Sequence, residues 1–103
     1  MPWTSSGRIT NPTAGQIVAD SGALAGGTRE PLIAVACSVA VTLELQQRDA
    51  ANAATLKSQI ISVPANTFVA FHVPMGIPVG DGERLRLENV SAVTGVLSVS
   101  VFT

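Results

Sequence analysis

The sequence contains few of the residues that carry chemistry. Its 103 residues include one cysteine, one histidine, one tryptophan and no tyrosine. A single cysteine forms no internal disulfide, so the chain does not fit a disulfide-stapled secreted module. We expect Cys37, which lies in the apolar segment PLIAVACSVAVTL, to be a small buried hydrophobic residue.

Charge is also scarce. Charged residues make up 13% of the chain, against roughly 25% in typical soluble domains. The formal net charge is −1 and hydrophobic residues make up 47%. This composition has neither the basic patch that nucleic acid requires nor a polybasic membrane anchor, so we predict neither partner. Because so few charges cover a monomer poorly, we expect an oligomer or part of an assembly.

Long hydrophobic runs are absent too. The longest uncharged apolar run, residues 31–43, is shorter than the ~20 residues of a membrane-spanning helix. The opening segment MPWTSSGRITNPT lacks the apolar core of a signal peptide. We therefore expect the protein to be made in the cytoplasm.

Short alternating segments occupy most of the chain. In SVAVTLELQQRD, for example, Val39, Val41, Leu43 and Leu45 alternate with polar or small residues that we expect to face water. Similar segments recur with turn signals every ~8–12 residues, which predicts seven or eight short strands. The sequence therefore predicts an all-β fold, a single small antiparallel sandwich. We favour a jelly-roll-like arrangement, because the Cys-Trp-Cys signature of immunoglobulin domains is missing.

Three segments do not follow the alternation. Residues 1–14 are rich in Pro, Ser, Thr and Gly, and we interpret them as an extended N-terminal arm preceding a sandwich domain at residues 15–103. We expect SGALAGGTRE and MGIPVGDGE to be loops. AANAATL fits either a single helical turn or a bulged loop.

No set of residues predicts catalysis. Gly80, Asp81, Gly82 and Glu83 offer two carboxylates, too few for a calcium loop, and we interpret them as a turn. His72 has no second histidine or nucleophile motif beside it, so we expect a solvated or interface residue. We predict no catalytic, cofactor-binding or metal-binding residues and no cofactor, and thus no enzyme.

Interaction is the more plausible use of the polar residues that remain. Trp3, Arg8 and Ile9 lie on the arm, where a partner would order them. The segment QQRDAAN is the densest polar patch, and ERLRLEN places three charges on one side of a strand. The predicted interaction residues are Trp3, Arg8, Ile9, Arg48, Asp49, Asn52, Arg84, Arg86 and Glu88.

Residues 41–103 contain a polar QRDAAN loop, VPAN leading into a strand, GERLRLEN, and a C-terminal strand that alternates Ser and Val. In these features they resemble small decoration (cement) proteins of tailed-bacteriophage capsids. The resemblance implies a β-sandwich that trimerises on the outer capsid surface and bridges major capsid proteins, without cofactor or catalytic residues. It also implies a protein made in the host cytoplasm and located in the virion.

Two other functions remain open at this point. One is a glycan- or receptor-binding module of a phage tail or head fibre, although few aromatic residues are available to stack on sugar rings. The other is a small tail or connector component, which would form rings. The sequence does not distinguish a capsid location from a tail or fibre location.

Overall fold

The computed structural model describes residues 3–72 and 76–102, with side chains from residues 8–72 and 76–101. This part of the chain contains ten strands and no helix. The strands are β1 (Trp3–Thr10), β2 (Ile17–Asp20), β3 (Gly27–Arg29), β4 (Leu32–Cys37), β5 (Val41–Arg48), β6 (Thr55–Val63), β7 (Thr67–His72), β8 (Ile77–Val79), β9 (Arg84–Asn89) and β10 (Val96–Phe102).

The strands form two large antiparallel sheets and one small one. Sheet A has the order β1-β10-β4-β7, and sheet B has the order β2-β9-β5-β6. Strands β3 and β8 pair with each other in a separate ribbon. The prediction of an all-β antiparallel sandwich is therefore confirmed.

The core lies between sheets A and B and is made of aliphatic side chains. Every second residue of the central strands faces inward, which is the period-2 pattern that the sequence displays. Val35, Leu43, Leu87 and Leu97 are completely buried. Cys37 is buried as expected, and its thiol donates a 3.2 Å hydrogen bond to the Pro64 carbonyl.

The N-terminal segment differs from the expected arm. Residues 3–10 are extended, but they form the edge strand β1, which pairs with β10 from Trp3↔Phe102 to Thr10↔Val96. Ile9, predicted as an interaction residue, packs against the core instead. The prediction failed because β1 is rich in Ser, Thr and Gly and shows no apolar alternation; among its described side chains, those of residues 8–10, Ile9 is the one that packs against the core.

Two predicted loops also contain strands. SGALAGGTRE includes β3 and MGIPVGDGE includes β8, so the structure has ten strands rather than seven or eight. Gly27 and Pro78 mask them in the sequence, because both residues are typical of turns. Leu24 in the first of these segments is buried with Val79 and Leu85 in a second, smaller core.

The AANAATL segment is a bulged loop and not a helical turn. The β5–β6 register shifts between Gln47 and Arg48, and Asn52 has a positive φ of 55°. Val73 and Pro74, expected to end the strand of β7, lie outside the described residues.

The packing of β1 predicts a specific stability effect. We expect Ile9→Ala to lower the free energy of unfolding by about 1–2 kcal/mol, less than a fully buried isoleucine because Ile9 is only partly buried. Thr10→Ala, at the exposed neighbouring position, is the control and should change the free energy of unfolding by less than about 0.5 kcal/mol. Urea denaturation measures both, and equal effects would show that β1 is not docked.

Candidate interaction surfaces

The outer face of sheet B carries a hydrogen-bonded polar network centred on Gln46. Its side-chain oxygen accepts a 2.6 Å hydrogen bond from Arg86 Nε, and its amide nitrogen donates to Glu44 and to Glu88. Glu44 and Glu88 stand directly opposite each other on β5 and β9. Like charges in that position repel, and the Gln46 amide lies between them as a shared donor.

This network corrects one expectation. Gln46 was expected on a wet face, but it is only 4% exposed because its neighbours cover it. Sequence reasoning missed both Gln46 and Glu44 as network members. The available signal was their spacing, since residues two apart on a strand share a face.

Arg48 extends the polar face towards the β5–β6 loop. Its Nε donates to Asn52 Oδ1 at 3.0 Å, its Nη2 to the Asn52 carbonyl at 2.9 Å, and its Nη1 to Thr55 Oγ1 at 2.7 Å. Arg86 Nη1 reaches the same Asn52 oxygen at 3.5 Å. The loop is thus fastened to the sheet by two guanidinium groups.

Asp49 does not join this face. It accepts a 2.8 Å hydrogen bond from the Ala53 backbone N–H. That bond is the main reason that the pKa of the Asp49 carboxyl lies below its ordinary value of 3.8, with Arg48 adding a smaller attraction. Asp49 therefore stabilises the turn in which it lies, and its role in an interface stays a prediction.

An ion pair lies towards the opposite edge of sheet B, where β2 pairs with β9. Arg84 Nη1 lies 3.2 Å from Asp20 Oδ2, and both side chains are partly exposed. A pair so accessible to water adds little to the free energy of unfolding, about 0–1 kcal/mol.

The structure thus brings together five of the nine predicted interaction residues. Arg48, Asn52, Arg84, Arg86 and Glu88 share the outer face of sheet B. Arg8 is exposed on sheet A, opposite Ser98. Ile9 belongs to the core, and only the backbone of Trp3 lies within the described part.

The GDGE cluster is a tight turn, as predicted. The Glu83 N–H donates to the Gly80 carbonyl, and Gly82 has a φ of 84° that favours glycine. Glu83 Oε1 accepts hydrogen bonds from Gly80 N at 2.7 Å and Gln47 Nε2 at 2.9 Å. The first of these, with the second assisting, lowers the pKa of Glu83 from its ordinary value of 4.5.

The outer face of sheet A has the opposite character. Uncharged side chains line up across β10, β4 and β7, with Ser98, Ala36 and Phe68 in one row and Ala34 and Ala70 in the next, and all of them except Phe68 are small. Phe68 is 78% exposed. The ionisable side chains described on this face are Arg8 on the edge strand β1 and His72 at the end of β7. Phe71, three residues after Phe68, faces inward and packs against the core.

Two clefts open between the sheets on the side where β6 and β7 are the edge strands. Each has a volume of about 380 Å³. One is lined by Leu45, Gln47, Lys57, Ser58, Gln59, His72, Ile77 and Leu85. The other is lined by Ile33, Leu45, Gln59, Ile60, Ile61, Ser62 and Phe71. The exposed His72 therefore stands at the rim of the first cleft.

Other kinds of site are not seen in the described part of the chain. Its His, Cys, Asp and Glu side chains form no group of three or more that could hold a metal ion. Nor do residues 3–72 and 76–102 contain a helix long and apolar enough to cross a membrane.

Comparison with known proteins establishes a fold and no family. No protein-family description matches the chain, and no curated protein matches it. Among solved structures, the globular domain of zebrafish complement 1qA protein is similar over 99% of this chain and 96% of its own. The TM-score is 0.60 and the sequence identity 10%. The likeness supports a jelly-roll-like β-sandwich, as the sequence predicted, and at this identity it shows the fold alone.

The Glu83 turn predicts a pH dependence. Because the folded-state pKa is lowered, the carboxylate stabilises the fold above pH 4.5, and this contribution is lost as the pH falls through the lower folded-state pKa. Glu83→Gln should therefore be less stable than the parent at neutral pH, with the difference shrinking below pH 4.5. Urea unfolding at several pH values measures this, with the exposed Glu30→Gln as control. A difference that stays constant with pH would contradict the assignment.

Asn52 predicts a second effect, because it combines a left-handed backbone with two guanidinium contacts. Asn52→Gly loses the side-chain oxygen but tolerates the positive φ, whereas Asn52→Ala loses the oxygen and is strained as well. We expect the alanine variant to be less stable than the glycine variant by about 1 kcal/mol. Thermal or urea unfolding compares them. Equal stability would mean that the loop relaxes out of its turn.

Proposed function

We propose that this protein is a non-enzymatic virion structural subunit that decorates and stabilises the outer surface of a phage capsid. In this proposal it associates as a homotrimer, bridges major capsid proteins, needs no cofactor, and binds neither nucleic acid nor membrane. It would be made in the host cytoplasm and act in the virion.

The observation that carries the proposal is the contrast between the two outer faces. On sheet B, arginine and glutamate side chains are hydrogen-bonded through Gln46 and Asn52, whereas the outer face of sheet A is lined mainly by small uncharged residues beside an exposed Phe68, with Arg8 on its edge strand. Aromatic side chains are enriched in protein interfaces relative to the rest of the surface. We infer that copies associate through sheet A, which leaves the charged face of sheet B towards solvent.

The capsid location rests on the resemblance of residues 41–103 to decoration proteins. The mechanism would be mass action, because a trimer that binds only the assembled lattice stabilises that state by its differential affinity. Three copies binding together raise the avidity without any single strong contact.

Oligomeric state and capsid binding test the proposal together. We expect a trimer by size-exclusion chromatography with light scattering, and co-sedimentation with expanded phage capsids. Phe68→Ser should shift the equilibrium to smaller species, because it removes the exposed aromatic side chain from the outer face of sheet A. Leu56→Ser, which changes an apolar side chain that is 50% exposed on β6, is the matched control and should leave the trimer intact.

Two results would count against the proposal. A parent protein that stays monomeric and does not sediment with capsids contradicts it, and so does an equal effect of both substitutions on the trimer.

The alternative is a glycan- or receptor-binding module of a phage tail or head fibre. Phe68 supports it, since an exposed aromatic side chain can stack on a sugar ring. A glycan array separates the two functions. Binding that Phe68→Ser abolishes would support the module, and a decoration protein should bind no glycan.

A further inference from the structure

Strand β6 is a long edge strand with little covering it. It runs for nine residues, and within the described part of the chain it pairs with β5 alone. Leu56 is 50% exposed and Ile60 is 51% exposed. Edge strands of this length present unpaired backbone groups to other chains, and proteins usually protect them.

The ladder on the other side of β5 shows which backbone groups of β6 are free. The Thr42 carbonyl accepts a 2.9 Å hydrogen bond from the Val90 N–H, so the backbone of Thr42 faces β9. In an antiparallel ladder the direction alternates, and Thr42 stands opposite Ser62 on β6. The N–H and C=O groups of Ser58, Ile60 and Ser62 therefore point away from β5, to the free edge.

A side chain already occupies part of this edge. Gln59 Nε2 donates to the Ile60 carbonyl at 3.3 Å, a contact that requires that carbonyl to be outside the β5–β6 ladder. The bond is long and exposed, so an incoming backbone N–H would replace it at little cost.

The two clefts lie directly beside this edge. Lys57, Gln59 and Ile61 of β6 contribute to their walls, and buried core residues such as Leu45 and Ile33 contribute to their floors. A strand added to β6 would place every second side chain over these clefts. Each volume of about 380 Å³ is at the small end for a ligand pocket, and suits one or two side chains.

The first cleft also contains a polar group without a partner. Gln47 is 7% exposed, and its Nε2 donates to the Pro78 carbonyl and to Glu83, which fixes the orientation of the amide. Its Oε1 is buried and accepts no hydrogen bond. A buried acceptor left unsatisfied is costly, so the packing at this end of the first cleft leaves one polar requirement unmet.

We propose that β6 binds an extended segment of a different protein, which adds as an antiparallel strand to sheet B. In the bound segment, the side chains that face the clefts are apolar, and one carboxylate lies beside Lys57. This inference goes beyond the proposed function, because it requires only a partner with such a segment, whatever assembly contains it.

Charge decides against a second copy of β6 as the occupant. Lys57 and His72 are the basic groups lining the first cleft, and no carboxylate side chain is among its described lining residues. The sequence of β6, TLKSQIISV, contains no Asp or Glu. A second β6 therefore brings no negative charge to Lys57 in any register, whereas an acidic segment does.

The test uses the full chain and a synthetic probe, the capped peptide TVTVTVTDT. In the antiparallel orientation its valines face the clefts and its aspartate lies beside Lys57. Two N-methylated forms are the matched controls. Methylation of the threonines removes the N–H groups that would bond to β6 and should abolish binding, whereas methylation of the valines removes N–H groups on the far side and should preserve it. Amide chemical shifts in NMR spectra measure binding, and those of Ser58, Ile60 and Ser62 should move.

Substitutions in β6 test the same contacts by changing the protein instead of the peptide. Ile60→Pro removes one N–H from the free edge without breaking the β5 ladder, and should weaken binding by about tenfold. Ile60→Thr keeps that N–H and should weaken it by less than about threefold. Lys57→Glu should reduce binding to the aspartate peptide and restore it to a peptide with lysine in that place.

The outcomes separate this inference from the proposed function. Absence of peptide binding, equal binding of the two N-methylated peptides, or shifts confined to other strands would overturn strand addition at β6. Failure to form trimers or to bind capsids would overturn the proposed function and leave the β6 result standing.

Discussion

The contact between the inner faces of the two sheets determines the rest of this structure. It is aliphatic throughout its centre, where Val35 and Val99 of sheet A and Leu43 and Leu87 of sheet B are buried almost completely. The largest fully buried side chains are isoleucine and leucine. Such side chains pack closely without hydrogen-bonding requirements of their own, so the contact depends only on which residues face inward. A slip of one residue in any central strand would turn its apolar side chains to water.

That dependence explains what the outer faces are free to do. Because the core is complete without them, the outward residues of β5 and β9 can be charged, and those of β4 and β10 can be small. Sheet B places Arg86, Gln46 and Glu88 in one network, and sheet A presents alanine and serine. The sandwich therefore has two faces of different chemistry on one scaffold.

The parts of the fold that could be predicted are those governed by alternation. The strands containing Leu43 and Leu87 were evident, since their inward residues are apolar and their outward residues are polar. The ribbon of β3 and β8 was not, because three-residue strands are too short to show a period and Gly27 and Pro78 resemble turn residues. Strand β1 was missed for a related reason, as Ile9 is its one side chain known to reach the core.

The candidate site was predictable only within one strand. Arg84, Arg86 and Glu88 share a face because of their spacing, and the sequence shows that spacing. The contacts of Arg86 with Asn52 and Gln46 depend on the pairing of β9 with β5, which brings together residues 34 and 40 positions apart. The burial of Gln46 follows from that pairing too, so no reading of β5 by itself would find it.

The pairing of β1 with β10 has a geometric consequence for the ends of the chain. Trp3 stands opposite Phe102, so the first and the last described residues lie side by side at one corner of sheet A. Two domains fused to the two ends would begin only one inter-strand spacing apart, about 5 Å. They would crowd each other at that corner, while the β6–β7 side stays clear of both. In such a fusion, both added domains would therefore lie at one corner of the sandwich, and the opposite side would remain accessible.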